Sequence, residues 1–415
     1  MLRQRSIGRL LLVLGFLLAS GPLASAQDWP QWRGPGRDGL VKDFVAPAVW
    51  PKALKQVWRT PVGSGYSSPV VANGKTWIHT RTGDEEIVSC LDWKTGKLLW
   101  SNRYAVGFKK NQYATEMASG PFATPLLHRD KLYTLGVNGT FSCFDAASGT
   151  LKWRKDFGLP DTSKMFCGTA GSPVAEGDNV IIHVGDDIKG GTMIAFDAVS
   201  GREKWQLKCD GPGYASPIIV TLGGVRQLVT MTDKSVLGVA AQTGQQLWSF
   251  PWPDTWNENI VTPTLFNDLL IFSGVRRGTV ALRPVKETNA WTVKEAWQNP
   301  DIALYMNSPV LDGAQLYGLS AKRKGQFFCL DAATGKVLWA TEGREGNQAA
   351  VLKTRDLLLI LTADSNLIVA RKHATAFTPL AKYSVADSPT YAHPVITGKQ
   401  MLVKDDTNLT LWSLE

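Results

Sequence analysis

The chain alternates short apolar runs with polar turns, and one arrangement of the two recurs eight times. Each copy opens with a small residue, a proline and an aliphatic run, and it ends in a hairpin whose last strand carries an aromatic residue. The openings are Ser68-Pro69-Val70, Thr124-Pro125-Leu126, Ser172-Pro173-Val174, Ser216-Pro217-Ile218, Thr262-Pro263-Thr264, Ser308-Pro309-Val310, His393-Pro394-Val395 and a degenerate Ala349-Ala350-Val351. The closing aromatics lie 42 to 53 residues apart, at Trp58, Trp100, Trp153, Trp205, Trp248, Trp297, Trp339 and Tyr383.

This period predicts the fold. A repeat of about 40–50 residues with four short strands is what a propeller blade requires. A solenoid of helix pairs has a similar period, but these segments carry β-branched and aromatic residues between Gly, Asn and Asp turns, which favours strands. We therefore predict an all-β, eight-bladed β-propeller of four-stranded antiparallel blades. The first closing strand, Leu54 to Arg59, precedes every inner strand, so we expect it to complete the last blade, with residues near Val57 pairing with residues near Leu411.

The copy from Ser67 to Trp100 shows how one unit is built. We predict strands at 68–71, 76–80, 87–91 and 97–100. In the turn before the last strand, the carboxylate of Asp92 can accept backbone N–H groups, and Gly96 can adopt a positive φ without a Cβ penalty. The same turn recurs at Asp145, Asp197 and Asp331. We interpret these carboxylates as turn residues, and the closing aromatics as wedges between neighbouring sheets that each bury on the order of 200 Å².

The repeated Asp-x-x-Thr/Ser-Gly-x-x-x-Trp pattern resembles the tryptophan-docking repeat of secreted, pyrroloquinoline quinone (PQQ)-like propellers. That superfamily, the quinoprotein alcohol dehydrogenase-like proteins, includes PQQ dehydrogenases and the non-catalytic outer-membrane assembly factor BamB. The segment from Asp28 to Gly39, with its Trp-Pro-Gln-Trp-Arg-Gly run, is similar to the start of such proteins. The resemblance covers the chain from there onward. It implies the fold but leaves the function open, because one scaffold hosts both enzymes and interaction modules.

Residues 1–26 have the composition of a secretory signal peptide. Three arginines precede an apolar stretch from Leu10 to Leu23, and Ala24-Ser25-Ala26 provides a small-x-small cleavage site. The stretch is short for a membrane span, and no Cys follows it for lipid attachment. We therefore expect a cleaved, periplasmic or secreted protein that does not span the membrane, with an N-terminal extension at 27–53 and the propeller at 54–415. Without the three arginines the formal net charge falls from +9 to +6, a mild excess that argues against nucleic acid as a partner.

The cysteines and histidines do not predict a metal site. Cys90, Cys143 and Cys329 each lie two residues before a turn Asp, which indicates small buried residues. A disulfide between Cys167 and Cys209 is a possibility in an oxidising compartment. The five histidines are scattered without paired spacing.

In a propeller, the loops that lead into the inner strands and the turns between second and third strands surround one mouth of the central channel. We expect function there, since loops on a rigid scaffold usually carry it. The segment that we predict as the loop before the second blade includes Tyr104, Phe108, Lys109, Lys110, Asn111, Tyr113 and Glu116. The candidate ligand or partner residues at the mouth are Tyr66, Arg81, Lys109, Tyr113, Tyr214, Asn257, Arg276, Asn307, Lys322, Arg323 and His393.

Two interpretations of this set stay open. It can form a basic, aromatic funnel for an anionic ligand. Alternatively, its cations are solvated turn residues, offset by acidic residues on the same turns. Those acidic residues are Asp84, Asp186, Asp187, Asp364, Asp405 and Asp406.

The leading functional hypothesis is an exported, non-catalytic, monomeric propeller that binds a protein or polysaccharide partner of the cell envelope. The alternative is a minimal quinoprotein oxidoreductase that holds PQQ, with Ca²⁺, at the channel mouth. Compared with PQQ dehydrogenases, the chain has no adjacent cysteines for a vicinal disulfide and no Cys-x-x-Cys-His for a haem. We assign no catalytic residue, no cofactor-binding residue and no metal ligand. Glycan hydrolysis would require two mouth carboxylates about 5–9.5 Å apart, which the sequence does not place.

Overall fold

The computed structural model describes residues 27–158, 162–186, 188–288 and 290–415. The predicted signal peptide, residues 1–26, and Asp187 lie outside these residues. The described residues form eight four-stranded antiparallel sheets. Seven of these sheets contain four strands that follow one another in sequence, and the eighth combines the first strand with the last three. The all-β, eight-bladed propeller predicted from the repeat is confirmed. In the described part, no helix is long and apolar enough to cross a bilayer.

The strands are numbered along the chain, and the first, β1 (Lys55–Pro61), belongs to the last blade. Blade 1 contains β2 (Val70–Ala72), β3 (Lys75–Thr82), β4 (Glu85–Asp92) and β5 (Leu98–Ala105). Blade 2 contains β6 (Leu126–His128), β7 (Lys131–Leu135), β8 (Thr140–Asp145) and β9 (Leu151–Asp156). Blade 3 contains β10 (Val174–Glu176), β11 (Asn179–Asp186), β12 (Gly190–Asp197) and β13 (Glu203–Cys209). Blade 4 contains β14 (Ile218–Leu222), β15 (Val225–Met231), β16 (Ser235–Ala240) and β17 (Gln246–Pro251).

Blade 5 contains β18 (Thr264–Phe266), β19 (Leu269–Gly274), β20 (Gly278–Lys286) and β21 (Trp291–Asn299). Blade 6 contains β22 (Val310–Asp312), β23 (Gln315–Ser320), β24 (Gln326–Asp331) and β25 (Val337–Ala340). Blade 7 contains β26 (Ala349–Lys353), β27 (Leu357–Thr362), β28 (Asn366–Arg371) and β29 (Thr378–Ser384). Blade 8 contains β30 (Val395–Thr397), β31 (Gln400–Lys404), β32 (Asn408–Ser413) and β1. Short 3₁₀ helices lie at Thr162–Lys164 and Lys322–Lys324.

The ring closes as the sequence predicts. Strand β1 pairs antiparallel with β32, and Trp58 lies opposite Leu411. Val57 falls at a register shift between Gln56 and Trp58, so it has no partner of its own in the ladder. The N-terminal strand therefore supplies the outer edge of blade 8 and joins the two ends of the ring.

Hydroxyl side chains at the openings connect neighbouring blades around the channel. The hydroxyl oxygen accepts a hydrogen bond from the backbone N–H of the equivalent residue in the neighbouring blade at Ser68, Thr124, Ser172, Ser216 and Ser308. Ser68 Oγ accepts from His393 N at 2.8 Å, and Ser172 Oγ accepts from Thr124 N at 3.0 Å. Equivalent bonds join Ser68 N to Thr124 Oγ1, Ser172 N to Ser216 Oγ, and Thr262 N to Ser308 Oγ. These buried bonds tie neighbouring blades together around the channel.

The closing aromatics pack across the seams between blades. The ring of Trp100 lies over Gly149 so closely that a Cβ there would be 2.4 Å from the indole, and Trp58 leaves as little room at Gly96. Several of the indole N–H groups donate to backbone carbonyls of the next blade, as Trp58 Nε1 does to the Trp93 oxygen at 2.8 Å, whereas Trp248 Nε1 donates to the Gln227 side chain of its own blade. The predicted turn forms before the outer strand at Asp92, Asp145, Asp197 and Asp331. In the first, Asp92 Oδ1 accepts from Thr95 N at 2.9 Å, and these bonds lower the pKa of Asp92.

Strand lengths differ from the expectation in one place that matters. The sequence interpretation placed Tyr104 in the loop before blade 2. In the structure, β5 stays paired with β4 as far as Ala105, and its residues alternate in exposure over this length. Tyr104 is therefore a strand residue opposite Glu86.

Candidate functional site

The segment from Gln27 to Ala53, here called the N-terminal segment, lies across the inner strands of several blades. Trp29 is fully buried and exchanges backbone hydrogen bonds with Val71 of blade 1. Further along, Val41 N donates to the Lys353 carbonyl of blade 7 at 2.8 Å. Trp32 Nε1 donates to Thr262 Oγ1 of blade 5 at 3.0 Å. The segment is thus fixed to the ring on several sides of its axis.

Two arginines of this segment are buried against backbone carbonyls. Arg37 donates to the carbonyls of Ser172 and Pro173, and Arg33 donates to that of Pro309. Burial lowers the pKa of Arg33 to about 10, partly offset by Asp38. Burial and the charge of Arg33 lower the pKa of Arg37 to about 9. Both guanidinium groups stay charged near neutral pH and bind blades 3 and 6 to the segment.

A cavity of about 130 Å³ lies on the channel axis, and we call it the channel cavity. The loops before all eight inner strands contribute to its wall, and Trp32 contributes from the N-terminal segment. The residues that line it are Trp32, Tyr66, Met117, Phe122, Cys167, Ala170, Ser172, Tyr214, Ser216, Ile260, Met306, Asn307, Ser308, Gln348, Tyr391 and His393. Because Trp32 belongs to a segment fixed across the inner strands, the cavity opens toward the mouth formed by the loops.

The channel cavity is electrically neutral. In the described part of the chain no Lys, Arg, Asp or Glu lines it. Burial, reinforced by the nearby Arg33 charge, lowers the pKa of His393 to about 3, so its imidazole is uncharged at neutral pH. The His393 ring meets the edge of Trp32 with centroids 4.5 Å apart. Burial also raises the pKa of Tyr66 to about 12, and its hydroxyl accepts from Ala118 N at 2.9 Å.

Beside this cavity lies a larger opening of about 560 Å³, which we call the rim cleft. It is lined by Asn111, Tyr113, Phe166, Tyr214, Trp256, Glu258 and Tyr305. Tyr214 belongs to both walls, so the two spaces adjoin. Tyr113 is 80% exposed and Trp256 is 55% exposed, whereas Glu258 is only 9% exposed.

Glu258 is the one carboxylate among the described residues of the rim cleft wall. The Tyr305 hydroxyl donates to its Oε2. Burial raises the pKa of Glu258, and the neighbouring Asp254 charge adds to the rise, while the Tyr305 hydrogen bond and Arg276 oppose it. Arg276 stacks on Trp256, with its Cζ 3.5 Å from the ring centroid.

The structure brings five of the sequence-predicted site residues together at the mouth. Tyr66, Tyr214, Asn307 and His393 line the channel cavity, and Tyr113 lines the rim cleft together with Tyr214. The aromatic members of the predicted set thus line two adjoining spaces.

The predicted cations do not line the described walls of the channel cavity or the rim cleft. Arg81 is buried, and its guanidinium donates to the carbonyls of Gly83 and Val106. Lys322 and Arg323 line a separate groove of blade 6 with Glu342. Arg276 covers Trp256 at the edge of the rim cleft.

Two further predicted residues lie in loops beside the cleft. Lys109 has an exposed side chain, and its backbone N–H donates to Thr162 Oγ1 at 2.9 Å. Asn257 has a positive φ of 58° between two cleft residues, Trp256 and Glu258.

The sequence interpretation missed Trp32, Trp256, Glu258, Tyr305 and Tyr391. Trp256 and Glu258 flank the selected Asn257, and Tyr305 lies two positions before the selected Asn307. Extending the search by two residues on each side of every selected loop residue would have found these three and Tyr391, which lies two positions before His393.

A buried polar cluster joins blades 1 and 2 away from the channel cavity. Glu86 accepts from Val137 N at 2.8 Å and from the Tyr104 hydroxyl at 2.9 Å, and its Oε2 lies 3.1 Å from His79 Nε2. Burial acts to raise the pKa of Glu86, but the His79 ring and these hydrogen bonds lower it overall. We interpret this cluster as a structural contact that holds blades 1 and 2 together.

The cysteines are all free thiols. Cys90, Cys143 and Cys329 are buried, as predicted. The disulfide considered for Cys167 and Cys209 is not formed, because the two thiols have other neighbours. Cys167 Sγ is 3.8 Å from Met117 Sδ, and Cys209 Sγ is 3.4 Å from His183 Nε2.

The channel cavity does not fit the cofactor that the resemblance implies. PQQ carries carboxylates that need cationic partners, and the described cavity wall supplies none. Calcium is bound by several oxygen ligands, usually including carboxylates. Among the described residues, no group of three His, Cys, Asp or Glu side chains could hold a metal ion.

The comparisons with known proteins match this fold. The family model described as outer membrane protein assembly factor BamB matches residues 84–341 and 319–410. The BamB protein of Burkholderia pseudomallei is 26% identical over 237 residues, which cover 52% of this chain and 54% of that protein. The chain therefore matches about half the length of this curated relative.

Two solved structures share the architecture. BamB from Moraxella catarrhalis superposes with a TM-score of 0.59 at 14% identity, covering 87% of this chain and 100% of that one. A quinohemoprotein alcohol dehydrogenase from Pseudomonas putida superposes with a TM-score of 0.64 at 13% identity, covering 93% of this chain and 80% of that one. At sequence identities this low, the two superpositions support the fold alone. The family model, which spans most of the propeller, decides the family: the chain belongs to the family of the outer membrane protein assembly factor BamB.

Proposed function

We propose that the chain is a non-catalytic binding propeller of the cell envelope, located in the periplasm, that presents its channel mouth to a protein partner in outer-membrane protein assembly. One observation carries the proposal: the loops of the mouth present aromatic side chains around a channel cavity whose described wall includes Trp32 and carries no Lys, Arg, Asp or Glu. Exposed aromatic side chains next to a partly enclosed pocket are typical of the centres of protein interfaces. The family membership supports the process, and the partner's identity belongs to the experiment.

The ring suits such a role because its mouth is held rigidly. The loops at the mouth are tied to one another by side chains that line it: Phe166 N donates to the Tyr214 hydroxyl, and Ala118 N donates to that of Tyr66. A preorganised surface loses little conformational entropy on binding. We expect the isolated protein to be a monomer.

The test combines a contact assay with a phenotype. A photo-crosslinking amino acid at Tyr113 should capture one partner protein in cells, whereas the same group at Leu151, on the outer strand of blade 2, should not. Deletion of the gene should lower the abundance of outer-membrane proteins measured by quantitative mass spectrometry. Equal capture at both positions, or unchanged outer-membrane protein levels, would contradict the proposal.

The quinoprotein alternative predicts that the protein binds PQQ, and the proposed function predicts that it does not. Calorimetric titration of the purified protein with PQQ and Ca²⁺ should give no binding at micromolar concentration, because the described cavity wall lacks charged partners. Micromolar binding with dye reduction by alcohols or sugars would overturn the proposed function. Crosslinking to a polysaccharide, and not to a protein, would replace the partner class.

A further inference from the structure

We propose that the rim cleft receives a cationic side chain, a lysine or arginine of a partner loop, between its aromatic rings and against the carboxylate of Glu258. This inference rests on the proposed function, since it specifies the chemistry of the protein partner at the same mouth. It is also opposite in sign to one of the two interpretations that the sequence left open, a basic funnel for an anion.

The aromatic rings provide the first half of the argument. Five loops each contribute one ring to the cleft wall, among them the exposed Tyr113 and Trp256. The face of an aromatic ring is electron-rich and attracts ammonium and guanidinium groups within about 6 Å of its centre. The structure already contains one such pair at this edge, because Arg276 stacks on Trp256 at 3.5 Å.

The charge of the cleft provides the second half. Glu258 is nine-tenths buried beneath the rings, and Asp254 adds a second negative charge nearby. No Lys or Arg is among the described residues that line the cleft, and Arg276, which stacks on Trp256 at its edge, provides a partial counter-charge to Glu258. A carboxylate that has lost most of its water gains from a charge-assisted hydrogen bond to an incoming cation. An acidic partner side chain would meet repulsion at the same place.

The size of the cleft decides between a free ion and a peptide. A volume of about 560 Å³ falls within the range of roughly 300–1,000 Å³ that encloses molecules larger than one amine group. We therefore assign the space to a lysine or arginine together with the loop backbone that carries it. Neutral sugars also stack on aromatic rings, so a sugar serves as the competing probe.

The test measures binding at Trp256 in the purified full chain. The protein is labelled with 5-fluorotryptophan, the Trp256 signal is assigned with Trp256→Phe, and ¹⁹F spectra are recorded during titration with the peptide acetyl-Gly-Lys-Gly-amide. We expect a saturable shift at millimolar concentration. The same peptide with norleucine in place of lysine, which keeps the apolar chain but lacks the charge, should bind about tenfold more weakly. Equal binding of the norleucine peptide, or a shift only with methyl glucoside, would overturn the inference.

Matched variants separate the two halves of the site. Glu258→Gln keeps an acceptor for Tyr305 but removes the charge, and it should weaken lysine-peptide binding about tenfold. Glu203→Gln, an exposed position on β13, is the control and should change nothing. Tyr113→Leu keeps an apolar side chain but removes a ring face, so it should weaken binding, while Tyr113→Phe should not. Because Tyr113 is mostly exposed, this pair tests the inference even if Glu258→Gln fails to fold.

The two proposals fail separately. If the lysine peptide does not bind while crosslinking at Tyr113 still captures a protein, the cation inference is wrong and the proposed function stands. If crosslinking captures no protein, the proposed function itself is wrong.

Discussion

Removal of the Trp58 indole should weaken the ring more than removal of the equivalent indole of Trp100. Trp58 sits on β1 and packs against blade 1, so it spans the seam where the two ends of the chain meet. Its ring is 8% exposed and lies over Gly96, and its Nε1 donates to the Trp93 carbonyl at 2.8 Å. The Trp58→Ala change removes both the buried ring and this hydrogen bond.

The magnitude follows from these contacts. Truncation of a buried tryptophan costs about 3–5 kcal/mol of the free energy of unfolding. A buried carbonyl that loses its donor costs about 1–3 kcal/mol more. Trp100 is only half-buried, and its Nε1 shares the Ala146 carbonyl with Trp77 Nε1, which donates to it at 2.9 Å. After Trp100→Ala that carbonyl keeps a donor, so we expect a cost smaller by at least about 1 kcal/mol.

Urea unfolding followed by circular dichroism compares the two variants. Trp58→Phe should fall between wild type and Trp58→Ala, because phenylalanine restores apolar contact but not the N–H donor. Trp58→Ala should also increase protease cleavage near Lys55–Pro61, since β1 loses an anchor. The reasoning is refuted if Trp100→Ala destabilises the protein as much as Trp58→Ala does.

Three further predictions concern other contacts. Gly149→Ala places a Cβ 2.4 Å from the Trp100 ring at a φ of +72°. The melting temperature of this variant should fall well below that of Gly83→Ala, where φ is also positive but the space around the Cβ is open. Equal melting temperatures would contradict the packing argument. Glu86→Gln should lower the free energy of unfolding by about 3 kcal/mol at pH 7. The folded pKa of Glu86 is lowered, so its contribution to stability is present above the unfolded pKa of about 4.3 and is lost as the pH falls through the folded pKa. The difference in unfolding free energy between wild type and Glu86→Gln should therefore shrink in urea titrations at acid pH. A difference that stays constant with pH would count against this reasoning. Arg37→Ala leaves the Ser172 and Pro173 carbonyls without their charged donor and should speed hydrogen exchange at the Trp29 and Val41 amides, whereas unchanged exchange would show that the N-terminal segment is held without Arg37.

The fold was predictable because the repeat states its own period. The Asp-x-x-Thr/Ser-Gly turn fixes where each hairpin bends, and the surplus closing strand at the N-terminus leaves one arrangement that closes the ring. The role of the small residue before each proline was not predictable. Whether Ser68 Oγ receives the His393 N–H depends on how close the blades pack at the axis, and a local pattern does not contain that distance.

The site was predictable only in part, for a related reason. Sequence position places a residue on a turn at the mouth, but it does not say whether the side chain turns toward the channel. Arg81 folds back onto the carbonyls of Gly83, in its own turn, and of Val106, just after β5, because its long side chain reaches both acceptors. Glu258 escaped notice because nothing in the sequence distinguishes it from other acidic loop residues until burial sets it apart.

The position of β1 has a consequence for how the protein matures. The residues that finish blade 8 are synthesised before the other strands of the ring, and their partner β32 follows all of those strands in the chain. Until β32 is synthesised, the ring is incomplete and has an unpaired strand edge at each end. Such unpaired edges can pair with strands of other molecules. Contacts between residues this distant in sequence also form slowly. We therefore expect newly synthesised chains to be prone to aggregation until β32 pairs with β1, and truncations that remove β32 to remain so.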